Sequence, residues 1–336
     1  MMNRKNAAVS PDTHPSDLAP RMKTYLVTLG IAAAQILCVG AASQSPGSAP
    51  ATQVQPVPPK AATSAAQTTG QLTDPGATVR PPLPTPANPK LPTLYLVGDS
   101  TVRNGKADGA GGQWGWGEPL VEYFDAGKVN VVNRAIGGRS SRTYITEGRW
   151  DELLAMLKPG DIVVFQFGHN DPGPLDDTSR ARGTLPGVGE ESKEIDNPIT
   201  KKHEVVYTYG WYMRKYVTDT LAIGAIPIVC SPIPRKIWAD GKVVRNLNNY
   251  GGWARQVAEA KKVAFVDLNE IIARRYDALG EAQVEPLFAD PHTHTSRAGA
   301  ELNAECVVAG LKALKGNPLG QYLSAKGLAV TPDAGH

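Results

Sequence analysis

The sequence predicts a three-layer α/β domain built on a five-stranded parallel sheet. Three observations predict it. Five short runs, residues 94–97, 129–132, 161–167, 225–230 and 263–267, are almost continuously apolar, as strands covered on both faces must be. Helical patterns separate them at residues 148–158, 205–223 and 252–262, and a last one closes the domain at 298–314. Residue types able to do chemistry stand directly after the runs, where open parallel sheets bind ligands beyond the carboxyl ends of their strands.

The rest of the chain divides by composition. Residues 44–90 hold eleven of the 28 prolines and no aromatic residue, so they cannot bury enough apolar surface to offset their ordering entropy. They read as a disordered linker. Before it, Arg21 and Lys23 precede an uncharged apolar run at residues 25–40, and Ala41-Ala42-Ser43 follow. This reads as a signal peptide within a 1–43 extension, with translation starting at Met1 or Met22. Export to the periplasm or medium is expected, with an uncleaved membrane anchor as the alternative. Residues 91–320 form the expected catalytic domain of about 230 residues, and 321–336 a C-terminal tail. A net charge of +3 makes no case for nucleic-acid binding. Cys230 and Cys306 are read as buried free thiols or a single disulfide.

The residues after each strand carry the chemistry. Gly98-Asp99-Ser100-Thr101 ends the first strand, and its glycine allows a tight turn that presents Ser100 at the sheet edge. Serine is also a common helix cap, so the turn alone is weak evidence. The second strand leads to Gly137-Gly138-Arg139-Ser140, where glycines let backbone N–H groups face a ligand oxygen. The third leads to Gly168-His169-Asn170-Asp171, and an asparagine amide there can donate to a developing oxyanion. Asp290-Pro291-His292-Thr293-His294 precedes the last helix and can supply a base with its orienting carboxylate. Two histidines beside an aspartate can also ligate zinc, although no third strong ligand is evident. Residues 172–204 form a connection too long for a plain turn, either a binding loop or a surface insertion.

The order of Ser, Gly, Asn and His blocks resembles that of the SGNH (GDSL-type) hydrolases over about residues 91–316. Gly-Asp-Ser-Thr, Trp114-Gly115-Trp116-Gly117, Asn-x-Ala-x-x-Gly-Arg-Ser, Glu147-Gly148-Arg149, Gln166-Phe167-Gly168-His169-Asn170-Asp171 and His294-Thr295-Ser296 are similar to the rhamnogalacturonan acetylesterases in particular. The resemblance implies a flavodoxin-like fold, Ser100 as nucleophile, His294 as base and Asp290 as its orienting acid. It implies an oxyanion hole from the Ser100 and Gly138 N–H groups and the Asn170 side chain, with no cofactor or metal. The family usually has two residues between the acid and the base. Here there are three, so either the loop bulges or His292 takes the role given to His294.

The implied substrate is acetylated plant cell-wall polysaccharide, most specifically rhamnogalacturonan or pectin, acted on by a monomer without membrane insertion. Trp116, with Trp114, Trp211, Trp238 and Tyr144, offers flat faces for sugar rings. Arg139, Arg142 and Arg235 could pair with uronate carboxylates. Core packing for the aromatics and loop bracing for the arginines are the competing readings. The alternatives for function are a xylan or other carbohydrate acetylesterase and a carbohydrate-binding module without catalysis. A lipase-like esterase is disfavoured by the charge of residues 172–204.

Overall fold

The computed structural model describes residues 82–105, 108–246 and 248–335. The expected signal peptide and the linker up to residue 81 lie outside the described residues. Residues 82–90 run along the domain, where its polar side chains satisfy their backbone. Asn88 N–H donates to Asn130 Oδ1, Lys158 Nζ donates to the Pro89 carbonyl, and Arg134 donates to the Pro84 carbonyl.

Five strands form the parallel sheet: β1 (Thr93–Gly98), β2 (Asn130–Asn133), β3 (Ile162–Gln166), β6 (Ile226–Cys230) and β9 (Ala264–Val266). Their order is β2-β1-β3-β6-β9. The chain adds β2 on one side of β1, then crosses to lay β3 on the other. That reversal opens a crevice beyond the carboxyl ends of β1, β2 and β3.

Alternate residues of each strand face opposite layers. Leu94, Leu96, Val164 and Ile228 pack against the layer of α5 (Leu268–Leu279) and α7 (Arg297–Ala313), where Ile272, Tyr276 and Val307 are buried. Tyr95, Val97, Val163 and Phe165 pack against α1 (Ser141–Thr146), α2 (Arg149–Leu154), α3 (Tyr209–Ala222) and α4 (Tyr250–Lys261). Trp150 and Tyr216 sit edge to face there, 4.9 Å apart. The tail is packed rather than free: α8 (Ala325–Ala329) follows Ser324, whose N–H donates to the Tyr123 carbonyl. A short α6 (Glu281–Val284) links α5 to the His294 loop.

Several elements depart from the sequence reading, among them the short helices α1, α6 and α8, which it did not contain. Residues 205–207 are strand rather than helix, because β5 (His203–Tyr207) pairs with β4 (Ser192–Asp196) in a hairpin before Thr208 caps α3. The long connection of residues 172–204 therefore carries ordered structure of its own. A second hairpin, β7 (Trp238–Ala239) with β8 (Lys242–Val243), follows β6. Helix α5 was not expected, although Asp267 caps Glu270 N–H and its apolar spacing is helical. Cys230 and Cys306 are both buried and unpaired, and burial pushes both thiols up. Among the described residues, no helix is long and apolar enough to cross a membrane.

Leu96 is fully buried on a strand with a partner on each side. Leu96→Ala should cost about 2–5 kcal/mol, from lost burial plus the cavity left behind, read as a lower denaturant midpoint at unchanged slope.

Candidate active site

The turn after β1 presents Ser100 because two constraints fold the chain back at once. Asp99 Oδ1 accepts from both the N–H and the hydroxyl of Thr101. Gly98 lies so close to β3 that an added Cβ would sit 2.5 Å from the Gln166 carbonyl. Ser100 emerges 7% exposed at the floor of a cavity of about 520 Å³.

His294 reaches this serine from the loop before α7. Its Nε2 lies 2.8 Å from Ser100 Oγ, and its Nδ1 lies 2.5 Å from Asp290 Oδ2. The other Asp290 oxygen accepts backbone N–H bonds from His292, Thr293 and His294. Burial works against the Asp290 charge, but the Thr293 and His294 donors and the imidazole outweigh it and hold its pKa below the usual range. An ionised Asp290 accepts from Nδ1–H, which leaves the Nε2 lone pair facing the serine proton. The same three backbone bonds accommodate the extra residue between Asp290 and His294, because the loop winds around the carboxylate. His292 is exposed, and its Nδ1 sits 2.6 Å from Thr293 Oγ1. The bases are therefore sorted by geometry: His294 contacts Ser100 and His292 does not.

The residues expected to supply oxyanion donors lie around the same cavity. Gly138 has φ +79°, a conformation that favours glycine. Arg139 Nη1 donates to the Gly137 carbonyl, and in a trans peptide this turns the Gly138 N–H the opposite way. Asn170 Nδ2 spends one proton on the Arg139 carbonyl at 3.0 Å and keeps its second. Gly138, Asn170, Ser100 and His294 all line the cavity.

Several expected sugar contacts are corrected by burial. Trp116 is 1% exposed, and its Nε1 donates to Gln166 Oε1, so it belongs to the core behind the serine. Arg142 is fully buried. Its guanidinium is bidentate to Glu204 and donates to the Leu175 and Gly183 carbonyls, and it does not line the cavity. Arg139 is buried against Glu147 and orients the Gly137 peptide. Tyr144 is buried, Trp211 stacks on Tyr207 at 4.0 Å, and Trp238 packs on the core. Trp114 bridges the two catalytic loops instead: its N–H donates to the Thr295 carbonyl, and its own carbonyl accepts from Thr295 Oγ1. Among the described residues, no tryptophan or tyrosine lines the cavity; of the expected arginines, only Arg235 does. Arg103, Arg149, Arg180 and Arg182 line it too; the sequence reading named Arg149 only within a family motif and missed the other three. For Arg180 and Arg182, the available signal was a pair of arginines two residues apart within the long connection of residues 172–204.

Two further carboxyls lie next to lining residues, Glu118 half-buried and Asp171 fully buried. Glu118 accepts from the Gly115 and Asn104 N–H groups, yet burial pushes its pKa up to about 7. Asp171 accepts from Ser141, and burial likewise pushes it up to about 7.

His294→Ala should lower kcat by about 10⁴-fold or more, whereas His292→Ala should retain most of the activity, both read on a soluble acetate ester. A carboxyl whose folded pKa is raised stabilises the fold fully below its unfolded value, and that stability is lost as pH rises through about 7. The melting temperature should therefore fall between pH 5 and 8, and Glu118→Gln should flatten part of that fall.

Residues 96–302 match the model of the GDSL-like lipase/acylhydrolase family. A rhamnogalacturonan acetylesterase of Emericella nidulans is 34% identical over 63% of this chain and 82% of its own length. The Bacillus subtilis protein YesY, a probable rhamnogalacturonan acetylesterase, is 30% identical over 67% of this chain and 94% of its own. The crystal structure of Bacillus subtilis YxiM superposes with a TM-score of 0.53 at 26% identity, covering 66% of this chain and 56% of that one. With that model covering residues 96–302 and the first two relatives at 30–34% identity, the chain belongs to the GDSL-like lipase/acylhydrolase family.

Proposed function

We propose that this protein is a serine esterase that removes O-acetyl groups from plant cell-wall polysaccharide, with rhamnogalacturonan as its substrate. The observation that carries the chemistry is the relay from Asp290 through His294 to Ser100, opening on a cavity that Gly138 and Asn170 also line. The names of the relatives support the substrate.

The steps follow from the geometry. Ser100 Oγ attacks the acetyl carbonyl while His294 Nε2 takes its proton. Asp290 stabilises the imidazolium and holds its tautomer. The oxyanion is met by the Ser100 and Gly138 N–H groups and the free Asn170 proton, fixed before reaction and so free of reorganisation cost. His294 then returns its proton to the departing sugar oxygen, and a water activated by the same imidazole releases acetate from Ser100. The catalytic residues in these steps are all groups of this chain. The apolar run at residues 25–40 supports export to the periplasm or medium, where such a polysaccharide is met.

Ser100→Ala should reduce acetate release from acetylated rhamnogalacturonan by about 10⁴-fold or more, and Asn170→Ala by about 10²–10³-fold. Release by Ser100→Ala at the parent rate would overturn the mechanism. A higher kcat/KM on acetylated xylan than on acetylated rhamnogalacturonan would overturn the substrate.

A further inference from the structure

Part of the cavity wall comes from a segment that precedes the domain expected from the sequence. Leu83 lines the cavity together with Ser100 and Ile136. Its segment is bonded into the domain along its length. Arg134 Nη1 donates to the Pro84 carbonyl at 3.2 Å and to the Leu83 carbonyl at 3.5 Å. Arg134 is itself buried and paired with Glu152. Asn88 N–H donates to Asn130 Oδ1, and Asn130 Nδ2 donates back to the Asn88 carbonyl. Lys158 Nζ donates to the Pro89 and Leu91 carbonyls. Pro84 restricts the residue before it to extended backbone, so Leu83 is presented with little further loss of chain entropy. Its side chain is half-buried against the core cluster that holds Ile136 and Tyr144. The family match begins at residue 96, so this stretch of wall lies outside it.

Among the described lining residues, Leu83, Ile136 and Ala110 are the aliphatic ones, and the rest are polar, charged or glycine. Ala110 stands on an exposed turn and offers a single methyl group. Ile136 lies beside the nucleophile, because its N–H donates to the Gly98 carbonyl. Leu83 sits between Pro82 and Pro84, both exposed. The apolar wall therefore runs from the serine turn outward to the surface. The acetyl group must lie against Ser100, and the cavity of about 520 Å³ is far larger than an acetyl group needs. What extends outward from the ester is its alcohol portion. A pyranose ring carries hydroxyls at its edge and C–H groups on its faces. Removing such a face from water against leucine and isoleucine is favourable in proportion to the area covered, while the polar lining fixes the hydroxyls.

We propose that Leu83 and Ile136 form an apolar platform for the C–H face of the sugar ring that carries the acetyl ester. Residues 82–90 are then part of the active site, and Leu83 is a specificity-determining residue supplied from outside the family match. The platform rests on the acetylesterase reading and deepens it: the alcohol portion of the substrate is a ring with an apolar face, and acetates of small acyclic alcohols leave the platform empty. Contact with a ring face is alike in the ground and transition states, so it acts on KM rather than on kcat.

The test compares kcat/KM for acetate release from acetylated rhamnogalacturonan oligosaccharides with that from ethyl acetate, which has no ring. The enzymes are the full chain and its Leu83→Ala, Leu83→Asn and Leu83→Met variants. Asparagine keeps nearly the size of leucine but is polar, and methionine keeps both size and apolarity. Leu83→Ala and Leu83→Asn should lower the ratio of oligosaccharide to ethyl acetate by about three- to tenfold through KM, the scale of part of one leucine side chain removed from water. Leu83→Met should hold the ratio within about twofold of the parent. A ratio unchanged in Leu83→Ala or Leu83→Asn, or lowered as much in Leu83→Met, overturns the platform alone. An equal loss on ethyl acetate assigns the segment to bracing the catalytic groups and also overturns it. No acetate from the oligosaccharides with the parent overturns the acetylesterase reading with it.

Discussion

A buried chain of hydrogen bonds holds the nucleophile in place. Trp116 Nε1 donates to Gln166 Oε1, Gln166 Nε2 donates to Thr101 Oγ1, and Thr101 Oγ1 donates to Asp99 Oδ1. All four residues are essentially excluded from water. Each donor has one acceptor, so the amide of Gln166 has a single satisfied orientation. The chain ties the turn that carries Ser100 to the end of β3 and to the turn of Trp114–Gly117. Through Trp114 it continues to Thr295, beside His294. The distance from Ser100 to His294 is thus set by core contacts rather than by loop stiffness, which is what a relay of 2.8 Å requires.

Arginine plays two distinct parts around this frame. Buried guanidiniums are structural when their charge is met inside the protein. Arg142 braces residues 172–204, and Arg139 orients the Gly137–Gly138 peptide. Desolvating them is tolerable because Glu204 and Glu147 stand within hydrogen-bond distance. Arg182 and Arg235 are held at the cavity by the Gly138 and His169 carbonyls, and Arg182 lies in the field of Asp99, Asp171 and Asp177 without a direct ion pair. Sequence position does not separate the two groups, because Arg139 and Arg142 lie as close to a catalytic block as Arg235 does.

The loop from Asp290 to His294 shows how a departure in spacing is absorbed. With three intervening residues, Asp290 Oδ1 becomes the centre of a backbone nest of three N–H groups while Oδ2 keeps the imidazole. The carboxylate thereby organises its own loop and orients the base with the same charge.

The sequence by itself determined the sheet, its five strands and which residues gather at its carboxyl edge. Continuous apolar runs have one low-energy destination, and Ser100, Gly138, Asn170, Asp290 and His294 each follow or precede an element in the order a parallel sheet demands. Local pattern is enough for such features because burial and turn chemistry act over a few residues. It could not rank His294 over His292, nor assign Trp116, Arg139 and Arg142 to the interior and Arg180 and Arg182 to the cavity. It also read residues 205–207 as helix, since their pairing with β4 is a contact between separate segments. Only the tertiary structure decided these points. Whether a side chain meets a partner, water or a substrate depends on what the rest of the chain has placed around it.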